Sequence, residues 1–164
     1  MFLALRDMNV PKLTAEDVPL FMGVLHDLFP GIEIPNVENA DLRSAITEEM
    51  TANNIQPVEK MVDKICQFYE TKTIRHGVMV IGLTCSGKST VWKTLQGALN
   101  RLSKSKPEQY VGVRTYPINP KAMSLNSLYG SYNPATNEWT DGVLSSTMRT
   151  VCLDEKKDQK WLVL

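Results

Sequence analysis

The chain has 164 residues, 43% of them apolar, with 18 basic and 18 acidic side chains and a formal net charge of zero. That length suits one domain, and the balance predicts a soluble globular fold with no nucleic acid as principal partner. No apolar run approaches membrane-spanning length, MFLALRDMNV lacks a signal-peptide pattern, and Cys66, Cys85 and Cys152 are too few and too scattered for a disulfide framework or a zinc site, which suits a reducing compartment. His26 and His76 cannot make a metal cluster between them.

Residues 1–75 read as mostly helical. KLTAED offers Thr14 as an N-cap with Asp17 three residues on, close to a capping box. Pro19 is tolerated only near a helix start, and Leu20, Phe21, Val24, Leu25, Leu28 and Phe29 then form an apolar face that Pro30-Gly31 ends. IEIPNVEN (32–39) reads as a loop or short extended piece. A more polar helix is expected over 40–53. Pro57 suits the first turn of a third helix, whose face is Val58, Met61, Val62, Ile65, Cys66, Phe68 and Tyr69.

HGVMVIG (76–82) is a short apolar run ending in Gly and predicts a buried parallel strand. It leads into GLTCSGKST, in which Gly82, Leu83, Thr84, Cys85, Ser86, Gly87, Lys88, Ser89 and Thr90 contain the pattern Gly-x-x-x-x-Gly-Lys-Ser/Thr. Residues 88–101 follow as a helix, with Val91, Leu95, Ala98, Leu99 and Leu102 on one face. Strand, Gly-rich turn and helix form the arrangement that binds polyphosphate. Amides of the turn and of the helix N-terminus point at the phosphates, Lys88 reaches the β- and γ-phosphates, and the Ser89 hydroxyl ligates Mg²⁺. The expected cofactors are therefore ATP or ADP with Mg²⁺. Cys85 stands where such loops often carry Gly or another small residue. It adds strain if the backbone there needs positive φ, and it is otherwise a small residue tolerated in the turn or a redox-sensitive thiol.

Downstream, RLSKSKPEQ (101–109) reads as a solvated basic connector and VGVRTYPIN (111–119) as a second strand that Pro117 and Pro120 confine to an edge or a terminus. SLNSLYG (124–130) predicts a short helix, SYNPATNEWTDG (131–142) a loop, GVLSSTMRTVCL (142–153) a helix, and WLVL (161–164) the start of an apolar strand. Hydrolysis would need an acidic pair at a strand end beside the phosphate loop. Asp154-Glu155 either closes such a strand or, as the helical spacing of Val143, Leu144, Thr147, Met148 and Val151 favours, follows a helix end.

Taken in order, RHGVMVIGLTCSGKST, INPKAMSLNSLYGSYNPATNEWTDGVLSSTMR and KWLVL closely resemble the second AAA+ module of dynein heavy chains, of the axonemal inner-arm type. LRDMNVPKLTAEDVPLFMGVLHDLFPGIE is similar to the entry to that module, so the resemblance covers nearly the whole chain. It implies an α/β fold, the three-layer sandwich of a P-loop NTPase, here incomplete, with a helical part over 1–75 and a P-loop core over 76–164. It implies a site that holds nucleotide without cycling it, on Gly82 through Thr90, with Ile32 and Ile34 lining the adenine pocket. The implied partners are the other AAA+ modules of the same heavy chain, with dynein light and intermediate chains and microtubules reached through the parent motor. The implied location is the cytoplasm and cytoskeleton, in a cilium or flagellum axoneme, with no membrane partner.

The family's strand order, 5-1-4-3-2, would leave the first strand with open edges here, and its metal-orienting acid would fall just after Leu164. The chain is thus expected to be a fragment or a truncated product that folds poorly alone. Two other readings compete. One is a small free-standing P-loop kinase or NTPase, which would have its loop nearer the N-terminus and more arginines after Arg114 than Arg149 alone. The other is an interaction piece with an empty loop.

Overall fold

The computed structural model describes residues 1–31 and 39–164, which form two compact units, 1–101 and 102–164. Ile32 and Ile34 lie outside the described residues.

The first unit is helical. α1 (Phe2–Asn9) passes through a 3-10 turn (Val10–Lys12) to α2 (Asp17–Leu28), followed by α3 (Ala40–Ala52) and α4 (Glu59–Ile74). α5 (Lys88–Ser105) begins in this unit and crosses into the second. α3 looks polar in sequence, yet Leu42, Ile46 and Met50 are fully buried, with Ala45 beside them. Four-residue spacing stacks them as one narrow stripe, which burial of each large aliphatic group stabilises by about 1.5–3 kcal/mol. Val62 and Ile65 of α4 and Val91, Leu95, Ala98 and Leu99 of α5 complete the core. Arg43 of α3 bridges to Asp63 of α4 at 2.7 Å. All five apolar positions predicted on the helix after the phosphate loop are buried, Leu102 included.

Three expectations for this unit need correction. Thr14 does not cap α2 with its side chain: its hydroxyl donates to Asp17 Oδ2 at 2.6 Å, and its carbonyl accepts from the Asp17 and Val18 amides. The face of α2 is mostly uncovered. Leu25 is buried, whereas Leu20, Val24 and Leu28 are exposed, because no described element packs over that side. The third correction is the largest. Residues 77–83 form no regular element and pair with no strand, and Met79 and Ile81 are 81% and 85% exposed. A β-strand exists only through a neighbour that takes up its amides and carbonyls. Among the described residues none does, so the predicted buried parallel strand is a bare segment.

The second unit carries a parallel pair, β1 (Val113–Pro117) and β4 (Gln159–Val163), in register from Val113 opposite Gln159 to Pro117 opposite Val163. The crossover between them holds α6 (Leu125–Tyr129), a hairpin of β2 (Gly130–Tyr132) and β3 (Trp139–Asp141), and α7 (Val143–Leu153). Ser124 caps α6 by accepting the Ser127 amide at 3.1 Å. The hairpin replaces the loop predicted over 131–142. Its strands have three residues each, too short for a visible alternation, and they are held by the Tyr132 and Trp139 rings, edge to face at 5.1 Å. Gly130 is required there: its φ is +111°, and a methyl group on it would lie 2.5 Å from the Thr140 carbonyl oxygen. The basic connector predicted from residue 101 is helical as far as Ser105, because Leu102 extends the buried stripe of α5 by one more turn.

Candidate functional site

The residues between the bare segment and α5 fold into a tight loop. Cys85 has φ of 63° and Gly87 of 84°, two left-handed residues that reverse the chain. The Ser86 amide donates to the Leu83 carbonyl at 3.2 Å, and the Val91 amide to the Gly87 carbonyl at 3.0 Å, which starts the helix. Gly82 stands close to the Ser86 hydroxyl: a methyl group on it would lie 2.8 Å from Ser86 Oγ and would turn that side chain aside.

Lys88, the first residue of α5, turns back over the loop and donates from Nζ to the Gly82 carbonyl at 2.8 Å and to the Leu83 carbonyl at 2.5 Å. The ammonium is thus held at the loop's mouth. Among the described residues, no acceptor takes the amides of Gly87, Lys88, Ser89 or Thr90. An α-helix leaves its first amides unpaired and positive at its N-terminus. Here they stand beside an ammonium, with the Ser89 hydroxyl exposed in the same turn. Such a set of donors fits an oxyanion, and phosphate oxygens in particular.

Beside the loop lies a cavity of about 590 Å³ between α4 and residues 77–81. Met61 and Phe68 supply apolar wall; Lys12, Lys64, Arg75 and Lys88 supply cationic groups, and among the described residues no carboxylate lines it.

Gly82 through Thr90 form one continuous turn and helix start. Asp154 has a different setting, in the second unit directly after α7. Arg114 Nη1 donates to its Oδ2 at 2.8 Å, and the Lys156 amide donates to Oδ1 at 3.1 Å. Lys160 donates to its backbone carbonyl. The Lys156 amide, with Lys160 and Arg114 nearby, holds the Asp154 carboxyl below the usual carboxylate range. Asp154 therefore follows a helix end, the reading that helical spacing favoured. Reasoning from sequence missed two residues. Arg114, Asp154's partner, carried no signal in its strand. Met61, which reaches the loop, was counted within a core stripe.

The family model described as "Hydrolytic ATP binding site of dynein motor region" matches residues 1–89. The chain is 46% identical over 163 residues to dynein axonemal heavy chain 2 of Homo sapiens, and 48% identical to that of Mus musculus. It is 47% identical over 165 residues to the dynein-1-beta heavy chain, flagellar inner arm I1 complex, of Chlamydomonas reinhardtii. Each comparison covers 99% of this chain, and the chain spans 4% of the length of each of these relatives. These relatives indicate a cytoskeletal location in the axoneme of a cilium or flagellum. With a family-model match over more than half its length, the chain belongs to the family of ATP-binding dynein motor regions.

Proposed function

We propose that the chain lies in the second AAA+ module of an axonemal dynein heavy chain of the inner-arm type, and that it binds ATP or ADP and holds it. The observation that carries this is the loop itself: left-handed Cys85 and Gly87, unpaired amides at the start of α5, and Lys88 poised over Gly82 and Leu83. Bound nucleotide would take the Lys88 ammonium from those two carbonyls to its β- and γ-phosphates, and the amides of Gly87 through Thr90 would close on the same oxygens. The Ser89 hydroxyl would hold Mg²⁺, which supplies charge neutralisation between the phosphates. Ile32 and Ile34 are the residues proposed for the adenine side. Residues 1–75 are the helical part of the module and 76–164 its P-loop core, in the three-layer arrangement of that fold. The other AAA+ modules of the heavy chain, light and intermediate chains, and microtubules are partners through the parent motor.

The absence of turnover within this stretch is supported by Asp154, whose carboxylate is engaged by Arg114. A second reading, that the loop serves a site that cleaves ATP, is favoured by the word "hydrolytic" in the description of the matching family. Titration of the chain with a fluorescent N-methylanthraniloyl nucleotide and Mg²⁺ tests the binding, and release of inorganic phosphate separates the two readings. Lys88→Ala should abolish the fluorescence change. Equal binding by that variant would refute the site, and phosphate release by the wild type would replace the first reading with the second.

A further inference from the structure

We infer that Met61, in α4, is a positioning residue for the phosphate loop: it backs Gly87 from behind and sets where that residue's amide stands. This rests on the nucleotide-binding reading of the same loop.

Gly87 is at φ of +84° and has no side chain with which to anchor itself. Among the described residues, and its own chain neighbours aside, a methyl group built on it would meet Met61 alone within 4 Å, with Cε at 3.1 Å and Sδ at 4.0 Å. Among the described residues, the space a side chain would fill is therefore closed by one thioether. That thioether comes from a well-anchored helix. Val62 and Ile65 of α4 are buried, and Asp63 is tied to Arg43. Met61 is only half-buried and also lines the cavity beside the loop. Methionine suits the task because an unbranched, polarisable chain can follow an irregular backbone. Oxyanion hydrogen bonds depend on distance and angle, so an amide that shifts loses part of its bond to the ligand.

The prediction concerns the phosphate end of the ligand alone. Two probes test it: N-methylanthraniloyl-ADP with Mg²⁺, and inorganic pyrophosphate as its competitor, which has no base or sugar. Met61→Ala should weaken both by about tenfold, and Met61→Leu, which keeps the reach, should stay within about twofold of wild type. If Met61→Ala loses its cooperative unfolding transition, Met61→Val takes its place, since it leaves an apolar stub that cannot reach Gly87. Wild-type affinity in the shortened variant would overturn the inference. So would an equal loss in Met61→Leu, or a loss confined to the nucleotide and absent for pyrophosphate. A wild-type chain that binds neither probe would sink the nucleotide reading and this one together, which distinguishes the two failures.

Discussion

At Cys85 the backbone and the side chain disagree. Its φ of 63° is a conformation in which a Cβ meets the following carbonyl, at a cost of roughly 1–2 kcal/mol, and only Gly, with Asn and Asp behind it, enters readily. The loop accepts that cost because the reversal is what turns its amides inward. Glycine would remove the clash but loosen the unfolded chain, so the two effects nearly offset in stability. Nucleotide binding separates them, because the bound loop must hold this one shape. Cys85→Gly should bind Mg-nucleotide at least as tightly as wild type. Cys85→Val, whose branched side chain fits the left-handed region least well, should lower stability by about a further 1 kcal/mol and weaken binding severalfold. Thermal unfolding and the fluorescent nucleotide titration measure these two effects, and tighter binding by Cys85→Val than by Cys85→Gly would contradict the strain account.

Among the elements, legibility followed how locally each one is determined. α5 could be read residue by residue, since its stripe repeats over 18 residues and its start is set by loop chemistry. α3, α4 and α7 were legible for the same reason. The hairpin of β2 and β3 was not, because strands of three residues carry no period and their pairing depends on the contact between Tyr132 and Trp139. The uncovered face of α2 was illegible for a different reason: an apolar stripe says what a helix can bury, not whether something arrives to cover it. The tie between α3 and α5 also escaped notice, since its members are distant in sequence. Glu49 accepts from Arg101 at 2.7 Å and from the Asn53 side chain at 2.9 Å. The Arg101 hydrogen bond, with that of Asn53, holds the Glu49 carboxyl below its usual value against the opposing effect of burial. A methyl group on Gly97 would meet the Glu49 side chain, so a side chain there would displace the Glu49 carboxylate from its place beside Arg101. A carboxyl lowered on folding contributes stability above its unfolded value, and that contribution disappears as pH falls through its folded one. The unfolding midpoint should therefore drop as pH is lowered through and below the ordinary carboxylate range. Glu49→Gln should be less stable at neutral pH and show a flatter acid limb. A limb of wild-type steepness in that variant would assign the acid sensitivity elsewhere.

On the scale of the whole molecule, the telling feature is apolar surface directly before residues 82–90. Val78, Met79, Val80 and Ile81 are consecutive apolar residues, the pattern of a strand covered on both faces, yet Met79, Ile81 and Leu83 are almost fully exposed. Among the described residues, the amides of 77–81 have no acceptor, and the side carrying Met79 and Ile81 is open while Val78 on the other side is half-buried. An open, apolar, unpaired segment is a template for pairing with another chain. The 164-residue chain should self-associate through it and bind a hydrophobic dye. The double substitution of Met79→Lys and Ile81→Lys places two charges on the segment while touching none of the buried stripes of α3, α4 and α5. It should sharply reduce both light scattering and dye fluorescence, and leave the unfolding free energy within about 0.5 kcal/mol, as for substitutions away from packed sites. Scattering unchanged by the two lysines would move the sticky surface to the exposed Leu20, Val24 and Leu28 of α2. A large loss of stability would mean that residues 77–83 are packed in solution, and that the loop they feed is held from its N-terminal side as well as by α5.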